Sequence, residues 1–278
     1  MKKLLNSLFL AACTLSIISC NNDDDPLANS VTLQFNNTFE NNTIVLGNET
    51  STTATTHISA AGQVHRFSEL KYVISNIRLV RGDGSEVPYH INDLDKGATV
   101  INQAKASSSN YVLTNIPVGE YKQLKFGLGV KPELNMLDQE RFPKFYDEAG
   151  ANDTKMMWEW GTGYRFTKIE GFYDADNKEL SIHTGSTVEG TENDPSSYVQ
   201  GVDAYRDIAL NLPNNAVVSS NAPKINVKAD FDKLLSGNNE ITLSVESAIT
   251  PTYHSGLDLM IKYVDNLKGM FSIESVEN

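Results

Sequence analysis

The 278-residue chain carries 35 acidic against 23 basic residues, a net charge of −12, and 40% hydrophobic residues. An acidic chain without a basic stripe excludes a nucleic-acid surface and electrostatic docking on anionic lipid. About 250 residues past the N-terminal segments suit one large all-β domain, or two smaller ones sharing a core.

Lys2 and Lys3 form a basic n-region, and residues 4–18 are an apolar stretch broken by small polar residues. This stretch is too short for a spanning helix and reads as an export signal over residues 1–19. Ile17-Ile18-Ser19-Cys20 matches a bacterial lipobox, which predicts cleavage before Cys20 and lipidation of that cysteine. The alternative is an ordinary secretory peptide with an incidental cysteine. Cys13 lies inside the removed segment, so the expected mature chain has no disulfide framework and no thiolate metal site. Residues 20–30, polar and acidic at 21–25, form a tether. The expected location is the cell envelope, as an outer-membrane lipoprotein facing the periplasm or the surface.

Strand signals dominate the rest of the chain. Residues 31–35 alternate apolar and polar, as do 69–79. There Leu70, Tyr72 and Ile74, then Ile77 and Leu79, predict a strand with a slip in phase near Ser75-Asn76. Arg81-Gly82-Asp83-Gly84 reads as a tight turn, with 86–91 returning as a hairpin partner. Residues 111–113, a turn at 117–120, and 121–130 with Leu124, Phe126 and Leu128 on one face continue the pattern. Further strands are predicted over 162–172, 180–183, 206–212, 225–229 and 241–245.

Helical signals are sparse. A short helix within 138–148 would be interrupted by Pro143, and one or two turns over 230–235 stop at Gly237. Residues 257–264 form a terminal helix or strand. With no internal repeat and no βαβ rhythm, the pattern predicts an all-β fold. It would be an antiparallel β-sandwich or open barrel with long loops and one or two short helices. Residues 104–110 are polar filler, whereas loops 136–155 and 185–200 flank a tryptophan-bearing strand and its successor, a placement that favours function.

The two tryptophans of the chain, Trp158 and Trp160, are two residues apart. An extended strand sets both on one face, continued by Met156, Tyr164 and Phe166. Such a face is either a heavy core strand or a reactive site. No phosphate loop, nucleophile elbow or cysteine–histidine pair accompanies it, so no enzyme is expected. Asp203 and Asp207 read as a solvated edge or a salt bridge with Arg206, and residues 174–179 as a plain turn rather than a calcium loop. His57, His65, His90, His183 and His254 show no local chelating spacing. His183 stands at a strand-to-loop exit before Thr184-Gly185, and His254 at another loop mouth, from which both could reach a site at the rim. His65 and His90 read as ordinary surface histidines.

Met157-Trp158-Glu159-Trp160-Gly161-Thr162-Gly163-Tyr164-Arg165-Phe166, followed by Glu170-Gly171 and His183-Thr184-Gly185, resembles the MbnP-like copper-binding proteins. The W-x-W-x-x-G-Y core is the specific part. Residues 70–79 with Asp83-Gly84, residues 116–121 before 126–130, and Asp265-Asn266-Leu267 with Met270-Phe271 support it. The resemblance covers residues 31–278 and implies an MbnP-like β-sandwich domain there.

It further implies copper, as Cu(I) or Cu(II), bound for acquisition, storage or handover without turnover. In characterised relatives a tryptophan is oxidised to kynurenine, in some cases by a di-haem peroxidase-like oxidase, and joins histidines at the metal. Carried over, Trp158 or Trp160 is the modified position, His183 the first imidazole ligand, His254 a second and His65 a third. Met156 or Met157 would add a thioether suited to Cu(I), and Tyr164 would line the site. Where some relatives place a ligand histidine two residues from the modified tryptophan, this chain has Trp160 or Met156. The alternative reading is a lipid-anchored recognition module that binds carbohydrate or an envelope protein through the tryptophan rim. A hydrolase on a sandwich scaffold has no assembled acid, base or nucleophile behind it.

Overall fold

The computed structural model describes residues 29–150, 155–158, 163–191, 194–250 and 257–278. The export signal, Cys20, most of the tether, Trp160 and His254 lie outside the described residues. The chain opens with β1 (Ser30–Phe39), β2 (Asn42–Thr43) and β3 (His57–Ile58). The 18-residue β4 (Val64–Arg81) follows, then β5 (Glu86–Tyr89), β6 (Thr99–Asn102), β7 (Asn110–Thr114) and β8 (Gly119–Leu128). Next come β9 (Thr167–Tyr173), β10 (Lys178–Thr184), and the small ribbon of β11 (Val188–Glu189) with β12 (Val199–Gln200). The last strands are β13 (Arg206–Val218), β14 (Lys224–Asp230) and β15 (Phe271–Glu277). Short helices intervene: α1 (Leu94–Gly97), α2 (Pro132–Asn135), α3 (Pro143–Ala149), α4 (Lys233–Ser236) and α5 (Leu257–Leu267).

Two sheets face each other across one core. The first runs β15-β14-β1-β2 with β7 also on β1, and the second β10-β9-β4-β8-β13 with β3, β5 and β6 also on β4. The architecture is an all-β sandwich, not a closed barrel. Among the described strands, pairing is antiparallel except between β1 and β14, which run parallel with Thr32 opposite Lys224 and Thr38 opposite Asp230; an isolated parallel bridge also joins Ser181 of β10 to Ile249. Period-two alternation builds the core: Val31, Leu33 and Phe35 of β1 point inward with Ile225, Val227 and Ala229 of β14. Phe35 meets Phe126 of the second sheet edge-on at 6.0 Å, and Phe126 meets Phe271 at 5.0 Å. Full burial of side chains of this size contributes roughly 1.5–3 kcal/mol each. The polar end of Tyr72 is satisfied by Asn37 Oδ1 at 2.7 Å.

The phase slip in β4 is real. Its register against β8 shifts between Ser75 and Arg78, where Asn76 takes φ +49°, a bulge that re-aims the following side chains. A second apolar cluster, which includes Val73, Phe145, Met156, Met157, Tyr164, Phe166 and Val264, underlies the tryptophan segment. Helix α5 serves both clusters, with Tyr263 and Leu267 in the main core and Met260 and Val264 in the second.

Several local expectations are corrected. Pro143 opens α3 rather than interrupting a helix, because its missing N–H costs nothing in a first turn. β13 continues to Val218 through an irregularity between Asn211 and Ala216. Residues 241–245 do not form a strand despite Ile241 and Leu243 pointing inward. The Gln63 side-chain amide takes the place of a strand partner, donating to the Leu243 carbonyl (2.8 Å) and accepting from its N–H (2.5 Å).

Candidate metal-binding rim

The described residues of the tryptophan segment, 155–158 and 163–166, belong to no named strand. Met157 and Tyr164 meet in one isolated antiparallel bridge, and the Arg165 N–H donates to the Met156 carbonyl at 2.8 Å. The chain therefore folds back on itself between them. Gly163 takes φ +94°, a left-handed conformation that ends any alternation there. The buried Asn135 fixes the return limb by accepting the Tyr164 N–H at 3.0 Å.

Trp158 is half-buried at this fold. The Arg165 guanidinium carbon stands 5.1 Å from its ring centre, a cation–π contact. The far edge of the indole lies on the backbone of Gly185. A Cβ at residue 185 would come within 2.8 Å of Trp158 Cζ2 and 2.6 Å of the Tyr164 carbonyl oxygen. Glycine is thus required where β10 ends, and the Phe166 N–H (2.6 Å to the Thr184 carbonyl) ties the two limbs together.

His183 sits two residues before that glycine, on the face of β10 opposite the inward-pointing Leu180 and Ile182. Its Nε2 is 3.0 Å from Glu170 Oε1 on β9. Glu170 is held in turn by Lys168 (3.2 Å), Lys168 also reaches Glu69 (2.8 Å), and Lys71 pairs with Glu69 (2.5 Å). Alternating charges thus cross three strands and end at the imidazole. The His183 hydrogen bond, with the Lys168 charge beside it, holds the Glu170 carboxyl down at about 2. An acceptor on Nε2 assigns the ring proton there, which leaves Nδ1 as the basic nitrogen.

A third piece of chain closes on the same place. Thr250 Oγ1 accepts from the His183 N–H (2.7 Å) and donates to the His183 carbonyl (2.9 Å). The sequence then runs directly into residues 251–256, with His254 four residues on.

The structure sets His183 and Trp158 at the same strand exit, one two residues before Gly185 and the other resting on it. The Tyr164 ring is instead buried in the second core cluster against Phe145 at 5.1 Å, and only its backbone carbonyl reaches Gly185. Met156 is fully buried in the second core cluster beside Met157. His65 lies elsewhere: it pairs across from Tyr173, at the other end of β9 from Thr167, about 20 Å along the strand. Nor is it a surface histidine, since it takes an inward position of β4 in alternation with Phe67. His90 is exposed, as expected. Both Asp203 and Asp207 are exposed, as a solvated edge requires. Arg206 forms its ion pair with Asp265 (2.8 Å) and reaches Asp203 only at the backbone carbonyl (3.0 Å). Asp207 pairs with Arg78, and the Asp203 carboxylate accepts from Ser186 (3.1 Å) and the Tyr205 N–H (2.9 Å). Residues 174–177 form the plain turn expected between β9 and β10, with 178 and 179 already in β10. Sequence reasoning missed Glu170, Arg165, Gly185 and Thr250 as site residues. Lys168 and Glu170 at alternate positions of β9 were a signal for the charge row, and nothing local marked Thr250. Among the described residues no group of three or more His, Cys, Asp or Glu could hold a metal.

Fold and rim define an all-β sandwich protein that carries a carboxylate-held imidazole and an indole at one strand exit. The MbnP family model matches residues 28–255, and the chain belongs to the MbnP family, which is associated with copper-related function. The solved structure of MbnP from Methylosinus trichosporium is similar in fold, with a TM-score of 0.54 at 14% identity over 83% of this chain and 86% of that one. No curated protein matches.

Proposed function

We propose that this protein is an exported, lipid-anchored member of the family that binds copper at the rim for acquisition, storage or handover, without turnover of its own. The observation that carries this reading is His183, with Nε2 engaged by Glu170 at 3.0 Å, two residues before the Gly185 backbone on which the Trp158 indole rests. A histidine ligand typically donates its second nitrogen to a carboxylate, which fixes the tautomer and raises basicity at the other nitrogen. His183 would supply that nitrogen. His254 is a second imidazole, and four residues of chain beyond Thr250 extend at most about 14 Å. Imidazoles suit copper in either oxidation state.

Trp158 is the nearer candidate for oxidation, Trp160 being the other. With two equivalents of hydrogen peroxide as oxidant, a di-haem peroxidase-like partner would insert two oxygen atoms across the indole C2–C3 bond and release two waters. Hydrolysis of the resulting N-formyl group would release formate, leaving kynurenine. Arg165 over the ring and Gly185 at its edge occupy surfaces that a stacking sugar would need. That supports the metal reading over a carbohydrate platform.

The test is an anaerobic Cu(I) competition titration of the native chain, His183→Ala and His254→Ala. Loss of affinity in the variants is expected, and unchanged affinity in His183→Ala would overturn the reading. Peptide mass spectrometry after co-expression with the haem partner is expected to show one oxygen gained and one carbon lost within residues 156–165.

A further inference from the structure

The hairpin of β3 and the start of β4 sets two imidazoles side by side, at the end of the sandwich remote from Trp158. His57 and His65 are directly opposite in an antiparallel pair, so their side chains leave the same face. That face points into the protein: the residues are 4% and 1% exposed. Phe39 stacks on His57 at 4.6 Å and meets His65 edge-on at 5.1 Å. Phe67 packs against both, at 5.6 and 5.3 Å. The two imidazole centroids are 5.8 Å apart.

This arrangement is costly for an apolar core. Both ring nitrogens of His65 are buried without a hydrogen-bond partner, and each such group forfeits its hydration with nothing in return. A third phenylalanine would fill the space without that loss. The surroundings are nonetheless arranged for imidazole. Thr55 Oγ1 engages His57 Nε2 at 3.0 Å, which leaves His57 Nδ1 uncommitted. The Gln63 backbone lies beside the His65 ring. Asp232 is close enough to offset positive charge at His65.

We propose that His57 and His65 form a two-coordinate clamp for a soft monovalent cation, Cu(I) being the biological candidate. With a metal–imidazole bond of about 2.0 Å and a ring nitrogen about 1.1 Å from its ring centre, a linear bridge places the two centroids about 6 Å apart. The observed 5.8 Å fits. Zn²⁺ seeks four ligands and Cu(II) a tetragonal set, neither of which the phenylalanine walls supply. A d¹⁰ monovalent ion is satisfied by two nitrogens in a line, and a single charge costs less to desolvate than a double one. Only two residue pairs join β3 to β4, so displacing β3 breaks few ladder bonds while β4 stays paired with β9.

This site does not rest on the rim reading, and the test separates them. The mature chain carrying His183→Ala and His254→Ala, with its rim imidazoles removed, is titrated anaerobically with Ag(I), a redox-inert stand-in, while imidazole ¹⁵N resonances are followed by NMR. One equivalent is expected to bind, with silver–nitrogen coupling at His57 and His65, and to be lost in an added His65→Phe. Thermal unfolding of His65→Phe is expected at or above the parent temperature, because the replacement removes two unpaired nitrogens. Absence of coupling at these two rings overturns the proposal even if His65→Phe fails to fold. So does an equivalent that survives His65→Phe.

Discussion

Glu170 Oε1 stands 3.0 Å from His183 Nε2, and the two residues lie on neighbouring strands two residues out of register, since Glu170 faces Ser181 and His183 faces Lys168. The carboxylate reaches the imidazole diagonally, and Lys168 reaches back to Glu170 from beside it. The orientation of the candidate ligand is therefore set by the sheet rather than by a loop. Outer-shell partners of this kind typically account for 10–100-fold in metal affinity. Glu170→Gln is expected to weaken Cu(I) binding by roughly that factor without changing stoichiometry, and His183→Ala by more. A competition titration with a chromophoric Cu(I) chelator measures both.

The same pair predicts an acid dependence. The Glu170 carboxyl is lowered from 4.5 to about 2 by the His183 hydrogen bond and the Lys168 charge. A depressed carboxyl stabilises the fold fully above its unfolded value of 4.5, and that stability is lost as pH falls towards 2. Denaturant unfolding is expected to show a steeper decline across this window in the native chain than in Glu170→Gln.

Gly185→Ala tests the contact between strand exit and indole. The added methyl would press on Trp158 and on the Tyr164 carbonyl, and overpacking of this kind costs about 1–3 kcal/mol. In a Trp160→Phe background the emission of Trp158 is expected to shift with the loss of stability. Equal emission and equal midpoint would show that the indole does not rest on residue 185.

Tyr164 is buried, yet its hydroxyl has no hydrogen-bond partner among the described residues. Tyr164→Phe is expected to be neutral, or to stabilise by up to about 1–3 kcal/mol, by removing an unsatisfied group. A marked loss of copper affinity in this variant at unchanged stability would instead give the hydroxyl a role at the rim.

Gln63→Ala removes the amide that stands in for a strand partner of Leu243. Two backbone groups lose their bonds, at about 1 kcal/mol each. Amide hydrogen exchange at Leu243 is expected to rise ahead of the sheet amides.

The strands were legible because their burial is one-sided. Val31, Leu33 and Phe35 keep strict alternation, and even the irregularity at Asn76 announced itself as a slip in hydrophobic phase. Residues 241–245 misled for the same reason: alternation reports which side chains point inward, not what satisfies the backbone, and here a distant glutamine does so. The tryptophan segment misled because its side-chain pattern suited a strand, while Met157 and Tyr164 meet in an isolated antiparallel bridge and Gly163 takes a positive φ that strand alternation does not allow. At the rim, His183 was visible from its place before Thr184-Gly185. Glu170 and Thr250 reach it across 13 and 67 residues of sequence, so only the folded sheet discloses them. The His57–His65 pair was hidden likewise, because hairpin register places them opposite one another and no local motif records it.

The parallel pairing of β1 with β14 has a consequence for assembly. Thr32 finds its neighbour only when Lys224 is present, so the opening strand waits, one edge unsatisfied, until most of the polypeptide has been delivered. Closing so wide a loop is entropically slow. A chain truncated before residue 224 would present Val31, Leu33 and Phe35 as an open template for association with other chains. Full length is thus a safeguard against aggregation as well as a condition for the native sandwich.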